Sequence, residues 1–335
     1  MPHEETTFKA HGVQSLTWMG ETLVDFATGH YWDGNARAAG ESWKSKGPRF
    51  GERFDAAIVS PSKNFVVIYE KLGTKALILK GVKLIREINR SYYQSEAFEY
   101  PIAIALRPDG REILIHCPDN YSIIRAEDIE TGEVIQDGFD TSSIDYFHSC
   151  LTVSPDQNRL ISAGWHWHPF SEARLYDIVD QPFRHVTHGK NQTFIPTYRE
   201  VETAVFLDSD SVYVATSREP SRDDEAVDTT GLGPNDIALW SIAGAKVVGK
   251  VSCGVPIGQL MPISPRYVVS FHTYPRLWDM EAKCLAFEWS DIDSGRTEGS
   301  IIWHADRVPI AKDGPNKRFA VAHDNSIMIV ELDLP

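Results

Sequence analysis

Trp165-His166-Trp167-His168 sets two imidazoles one residue apart, the spacing that puts both on one face of an extended strand. Neutral imidazole is a common ligand for transition metals. With His116 or His272 supplied by a neighbouring segment, His166 and His168 are the candidates for a divalent metal site. Asp119 or Glu172 would then serve as general base, and the chemistry would be that of a metal-assisted hydrolase or lyase. The motifs that would sharpen this reading do not occur in the sequence: there is no GxSxG, no HExxH and no phosphate-binding glycine loop. The acid pairs Asp208/Asp210 and Asp291/Asp293 also have same-face spacing, but they fit turn and loop chemistry, in which aspartate bonds nearby backbone.

Recognition is the other chemistry on offer. Trp32, Tyr92, Tyr93, Trp165, Trp167, Phe170 and Tyr274 fall in or beside long connections, and aromatics dominate protein-binding hot spots. Asp223, Asp224 and Glu225 add an acidic insertion. The whole chain has 33 Lys+Arg against 47 Asp+Glu, a formal charge of −14. Such a balance disfavours nucleic acid and anionic membranes, which need clustered cations, and it speeds encounter with a basic protein. The preferred expectation is therefore a non-enzymatic protein-binding molecule with no cofactor, of which an intracellular inhibitor or immunity protein is one concrete form. The metal-dependent enzyme is the alternative. His148 and His304 have a plainer role, bracing the loops that lead into the next strand.

These residues must be positioned by short strands. A strand, a polar turn and a second strand recur around positions 19, 61, 108, 155, 208, 264 and 313 of the 335 residues. Leu151-Thr-Val-Ser-Pro-Asp156-Gln-Asn-Arg-Leu-Ile-Ser-Ala163 is the clearest copy, and Ile102–Ile115 around Pro108-Asp-Gly110 is another. A third strand ending in an aromatic or acidic pair follows, as in Arg276-Leu-Trp278-Asp279, and then a fourth. Four short strands every 40–50 residues or so predict β-propeller blades. No sustained helical stripe supports a parallel α/β sheet.

The Ser154-Pro-Asp156 hairpin and Arg276-Leu-Trp278-Asp279 resemble WD-repeat and quinoprotein-like propellers, from about Gln14 to Leu332. The chain is also similar to uncharacterised bacterial cytoplasmic propellers. The resemblance implies a fold and no particular activity. The expected architecture is all-β: one seven-bladed β-propeller over residues 1–335, with a six-bladed ring plus N-terminal appendage as runner-up. Only three residues follow Leu332, so the last blade lacks a fourth strand. Thr6–His11 is expected to supply it and to remove the sheet edges. Turns between first and second strands would define a plain bottom face, and the longer segments 29–52, 164–172, 179–199 and 217–235 a functional top face.

Four scattered cysteines, an acidic N-terminus without an apolar leader and no membrane-length apolar run lead to the expectation of a cytoplasmic protein with reduced thiols.

Overall fold

The structure, a computed structural model, describes residues 3–33, 44–45, 49–136, 145–166, 170–179, 183–187, 193–220, 228–296 and 308–335. The chain forms seven small antiparallel sheets, the blades of a seven-bladed β-propeller. From the channel outward, blade 1 holds Leu16–Met19, Thr22–Asp25, His30–Trp32 and Lys44–Ser45. Blade 2 holds Ala56–Val59, Phe65–Tyr69, Lys75–Lys80 and Lys83–Asn89, and blade 3 holds Ile102–Leu106, Glu112–His116, Arg125–Asp128 and Val134–Gln136. Blade 4 is built from Leu151–Val153, Arg159–His166, Phe170–Asp177 and Arg184–Val186. Arg199–Phe206, Ser211–Pro220, Asp236–Ser241 and Lys246–Ser252 make blade 5, and Gln259–Pro262, Tyr267–His272, Tyr274–Asp279 and Cys284–Glu288 make blade 6.

Blade 7 closes the ring. Its strands Ile310–Asp313, Arg318–His323 and Ser326–Leu332 are joined by His3–Lys9, which pairs antiparallel in the register His3↔Leu332 to Lys9↔Ser326. The closing strand thus begins three residues earlier than the sequence suggested and ends at Lys9. It covers the last blade's edge with seven paired residues, and Phe8 stacks on Trp32 of blade 1 at 5.7 Å.

The turns repeat because their chemistry repeats. Ser60 and Ser154 each turn a hydroxyl back to the strand that follows, accepting from Phe65 N at 3.1 Å and Arg159 N at 2.9 Å. Lys63 and Gln157, three residues after those serines, take φ of 64° and 65°, and each amide returns to the serine carbonyl at 2.8 Å. Between third and fourth strands, Asp128 and Asp279 cap the turn, accepting from Thr131 N at 2.8 Å and Ala282 N at 2.9 Å. Local bonding of this kind ends one strand and starts the next.

The core is divided by the ring. Among the described residues, hydrophobic clusters lie between successive blades, for example Val67, Ile78, Tyr100 and Leu114 between blades 2 and 3, and Leu175, Phe194, Val214 and Trp240 between blades 4 and 5. Second strands such as Phe65–Tyr69 are buried on both faces, so they read as unbroken apolar runs rather than alternations. No α-helix occurs among the described residues, and no helix is long and apolar enough to cross a membrane.

Two expected loops contain strands among the described residues. Segment 29–52 holds His30–Trp32 and Lys44–Ser45, the third and fourth strands of blade 1, and within 164–172 the ends of Arg159–His166 and Phe170–Asp177 pair with one another in blade 4. Blade 4 also carries an additional strand, Tyr146–Phe147, paired with His166 and Trp165 beyond the point where Leu151–Val153 ends. Gly164 permits that approach: a Cβ there would meet the Phe147 carbonyl oxygen at 2.1 Å and the Tyr146 ring at 2.7 Å.

Candidate functional site

The aromatic candidates divide by burial. Trp165 is 2% exposed, sealed by the Tyr146–Phe147 strand, and Trp32 is buried under Phe8; neither offers contact surface, contrary to expectation. Trp165 instead anchors a ladder of rings. It stacks on Phe147 at 4.1 Å, Phe147 on Tyr121 at 3.8 Å, and Tyr121 on Tyr93 at 5.5 Å. The ladder leads from the core to the top face, where Tyr93 is 43% and Tyr92 84% exposed. Three exposed carboxylates belong to its segments: Glu96, Asp119 and Asp145. The Tyr121 hydroxyl donates to Asp145 Oδ1 at 2.5 Å, and burial together with that bond pushes the phenol up to about 12. Asp119 is engaged by Arg125 at 2.9 Å.

Arg90 holds the segment that carries the two exposed tyrosines. Its buried guanidinium donates to the carbonyls of Gly73 at 2.7 Å, Lys71 at 3.2 Å, Ser95 at 2.8 Å and Phe98 at 2.9 Å. The Phe98 and Tyr100 rings flank it at 4.5 and 4.9 Å. Burial lowers its pKa to about 10, so it remains a cation at neutral pH. One residue on from Phe98, Glu99 turns into the central channel.

That channel holds a cavity of about 340 Å³ lined by the innermost strands of blades 1, 2, 4, 5, 6 and 7 and by Glu99 from the connection between blades 2 and 3. Its polar centre was not anticipated from sequence. Tyr69 Oη donates to Glu99 Oε1 at 3.0 Å, Lys71 Nζ lies 3.8 Å from Glu99 Oε2, and Cys150 Sγ lies 3.9 Å from the same oxygen. Burial, then the Glu99 charge, raises Tyr69 well above its ordinary value and pushes the Cys150 thiol up to about 12, so both stay protonated. Cys150 has φ of 46°, an uncommon conformation for a residue bearing a Cβ. Lys312 enters from blade 7 and donates to Gln259 Oε1 at 3.1 Å. Glu99 and Cys150, just ahead of the first strands of blades 3 and 4, are the signal that could have found this cluster, but nothing in the local pattern says which side chains face the channel.

The histidine candidates do not converge. His116, in blade 3, is buried with Nε2 3.6 Å from Glu127 Oε1. His272, in blade 6, has Nδ1 3.2 Å from the Thr273 hydroxyl. His166, in blade 4, is bonded to Glu172 and stacks on half-buried Phe170 at 4.4 Å. Burial opposes the Glu172 charge, but the His166 bond and the Arg174 charge outweigh it and hold its pKa below the usual range. Glu172 and Asp119 therefore have separate partners on separate blades and form no acid–base pair. Among the described residues no group of three His, Cys, Asp or Glu side chains is gathered to hold a metal. Tyr274 is half-buried beneath Arg276, 5.9 Å from its ring. Trp167, His168, His304, Asp223, Asp224 and Glu225 lie outside the described residues.

His148 does brace a loop, though with a hydroxyl: its Nδ1 lies 3.0 Å from Ser162 Oγ in the second strand of the same blade. In blade 6, Trp278 Nε1 on the third strand donates to Ser270 Oγ on the second at 2.9 Å.

No family model matches the chain, and no curated protein matches it in sequence. Among solved structures, a chain of the Crystal Structure of Mitotic Checkpoint Complex superposes with a TM-score of 0.58 at 12% identity, covering 97% of this chain and 93% of that one. At so low an identity the likeness speaks to architecture alone, and it agrees with the ring described above: this chain is a seven-bladed β-propeller.

Proposed function

We propose that the propeller is a protein-interaction scaffold whose top face, between blades 3 and 4, receives a basic partner. The observation that carries this reading is the ring ladder that ends in Tyr93 and neighbouring Tyr92, exposed at its outer end and locked at its inner end by buried Trp165. Rigid tyrosines lose little freedom on binding, and their faces attract Arg and Lys side chains. Glu96 and Asp145 beside them, and the net charge of −14, favour the same kind of partner. The structural neighbour belongs to a multi-protein complex, which is consistent with a scaffold role. In its sharpest form the partner is a basic toxin that the chain holds inactive, as an immunity protein does. Four unpaired cysteines fit action in a reducing, cytoplasmic setting.

The test is capture of partners from the native host on the immobilised chain, followed by titration of the recovered protein. Substituting Tyr92→Ala and Tyr93→Ala together is expected to weaken binding by roughly 10- to 100-fold, as loss of one or two hot spots would. Affinity should also fall as salt is raised. A partner that binds the doubly substituted chain with unchanged affinity would refute the assignment of this face.

A further inference from the structure

Residues 145–148 stand between the ring ladder and the interior of blade 4. On the ladder side they meet Tyr121 three times. Asp145 Oδ1 accepts from its hydroxyl at 2.5 Å, the Phe147 ring stacks on its ring at 3.8 Å, and the His148 amide donates to its carbonyl at 3.1 Å. On the blade side two side chains hold the same segment. The Tyr146 hydroxyl donates to the Ser162 carbonyl and accepts from Gly164 N, both at 2.8 Å, and His148 Nδ1 lies 3.0 Å from Ser162 Oγ. Successive strand side chains point to opposite faces, so Tyr146 and Phe147 link the two sides through one peptide bond. Only two pairs, Tyr146↔His166 and Phe147↔Trp165, join this strand to the sheet among the described residues.

The blade side is closed and cationic. The buried Arg174 guanidinium lies 3.9 Å from the Tyr146 ring, and Glu172, 3.8 Å from Arg174 Nε, is already engaged by His166. His148 is buried, with Tyr146 and Tyr176 packed on its ring at 4.9 and 5.8 Å. The charges that act on it are those of Arg174 and His185, and both oppose a proton, while the Ser122 backbone favours one. A neutral imidazole fits such a place, whereas an imidazolium is left without a counter-charge of its own. We propose, on the reading that this face receives a basic partner, that residues 145–148 form an acid-released latch: a proton on His148 lifts the segment from blade 4, unstacks Phe147 from Tyr121, withdraws support from Tyr93 and lets the partner go. Burial, and then the Arg174 charge, holds the seated imidazole well below its ordinary 6.5, whereas the lifted, solvated one titrates at that value. The latch is therefore shut above it, and each pH unit below it favours the lifted state by about tenfold.

Hydrogen–deuterium exchange of the full chain at about pH 7.5, 6.5 and 5.5, corrected for intrinsic rates, tests the latch without a partner. The amides of residues 146–148 and 164–166 are expected to lose protection about tenfold from pH 6.5 to pH 5.5, while those of Arg318–His323 in blade 7 keep theirs. In His148→Gln, which retains a hydrogen-bonding group toward Ser162 but takes up no proton, that loss should disappear. Protection at 146–148 that ignores pH, that falls equally in blades 4 and 7, or that falls as far in His148→Gln would each overturn the latch. Should the substitution disturb folding, the contrast between blades 4 and 7 in the unsubstituted chain decides. Titration with a hexa-arginine peptide reads the face itself. Binding that is weakened by Tyr92→Ala with Tyr93→Ala, yet is no weaker at pH 5.5 than at pH 6.5, would overturn the coupling of latch to face. Binding that ignores the tyrosine pair would instead refute the interaction face, a failure separate from the latch, which the exchange data decide.

Discussion

Replacing Arg90 with methionine removes the clamp on residues 91–99, and the consequence can be worked out group by group. The Lys71 carbonyl keeps the Tyr100 amide at 2.7 Å, but the carbonyls of Gly73, Ser95 and Phe98 lose the guanidinium that serves them. A buried carbonyl left without its donor costs about 1 kcal/mol or more, so three contribute about 3 kcal/mol. Loss of the cation between Phe98 and Tyr100 adds about 1 kcal/mol. Methionine restores apolar packing and ends the cost of holding a charge at a site only 6% exposed, which offsets about 1 kcal/mol. The net loss is about 3 kcal/mol, read as a lower urea midpoint and a melting temperature roughly 4 °C lower. Arg90→Lys should recover part of it, because an ammonium can serve some of the carbonyls but lacks the planar fork. Tryptophan fluorescence follows unfolding, and binding through Tyr92 and Tyr93 should weaken in the surviving folded protein. A methionine variant within about 0.5 kcal/mol of the parent would refute the account of how this segment is held.

Two further outcomes follow from the same physics. Deleting residues 1–9 strips the outer strand from Ser326–Leu332 and exposes the cluster around Phe8 and Trp32, so the chain should aggregate on size-exclusion chromatography, while Phe8→Ala alone should cost about 3 kcal/mol or more. A monodisperse, fully stable truncation would contradict the closure. Burial, reinforced by Arg174, holds His148 well below its ordinary 6.5. The unfolded chain takes up that proton as pH falls through 6.5 while the native state does not, so the associated stability is complete above that value and is lost on acidification. Urea midpoints between about pH 7 and pH 5 should therefore fall with a slope of about one proton from this residue, and His148→Gln should flatten the curve; an identical slope in both proteins would count against it.

The blade pattern was legible because it is local. Ser60 and Ser154 reveal hairpins through hydroxyls that bond backbone a few residues away, and Asp128 and Asp279 do the same for the outer turns. The closing strand was legible by a count, since a fourth strand was owed after Leu332. The candidate site was legible only in part. Tyr92 and Tyr93 emerged as exposed aromatics, but Trp165 did not, because its burial comes from a strand at Tyr146–Phe147 that pairs beyond the normal blade width. Alternation along His166 and His168 suggested metal ligands, yet His166 is engaged with Glu172 on the adjacent strand of its own blade, while His116 belongs to blade 3 and His272 to blade 6, a relation that spacing within one segment cannot express.

Chain order and turn chemistry alone therefore pointed to the recurring four-stranded units and to the pairing of the two ends, because those features rest on bonds between near neighbours or on the need to cover an open edge. The choice of seven blades over six, and the strands within 29–52 and 164–172, came from the strand order of the folded ring. The channel cluster was decided elsewhere. Lys71, Glu99, Cys150 and Lys312 come from blades 2, 4 and 7 and the connection between blades 2 and 3, and only closure of the ring turns them toward one another. Their protonation follows from that enclosure: the low-dielectric walls and mutual charges that lower Lys312 and raise Cys150 exist in the folded ring and nowhere along the extended chain.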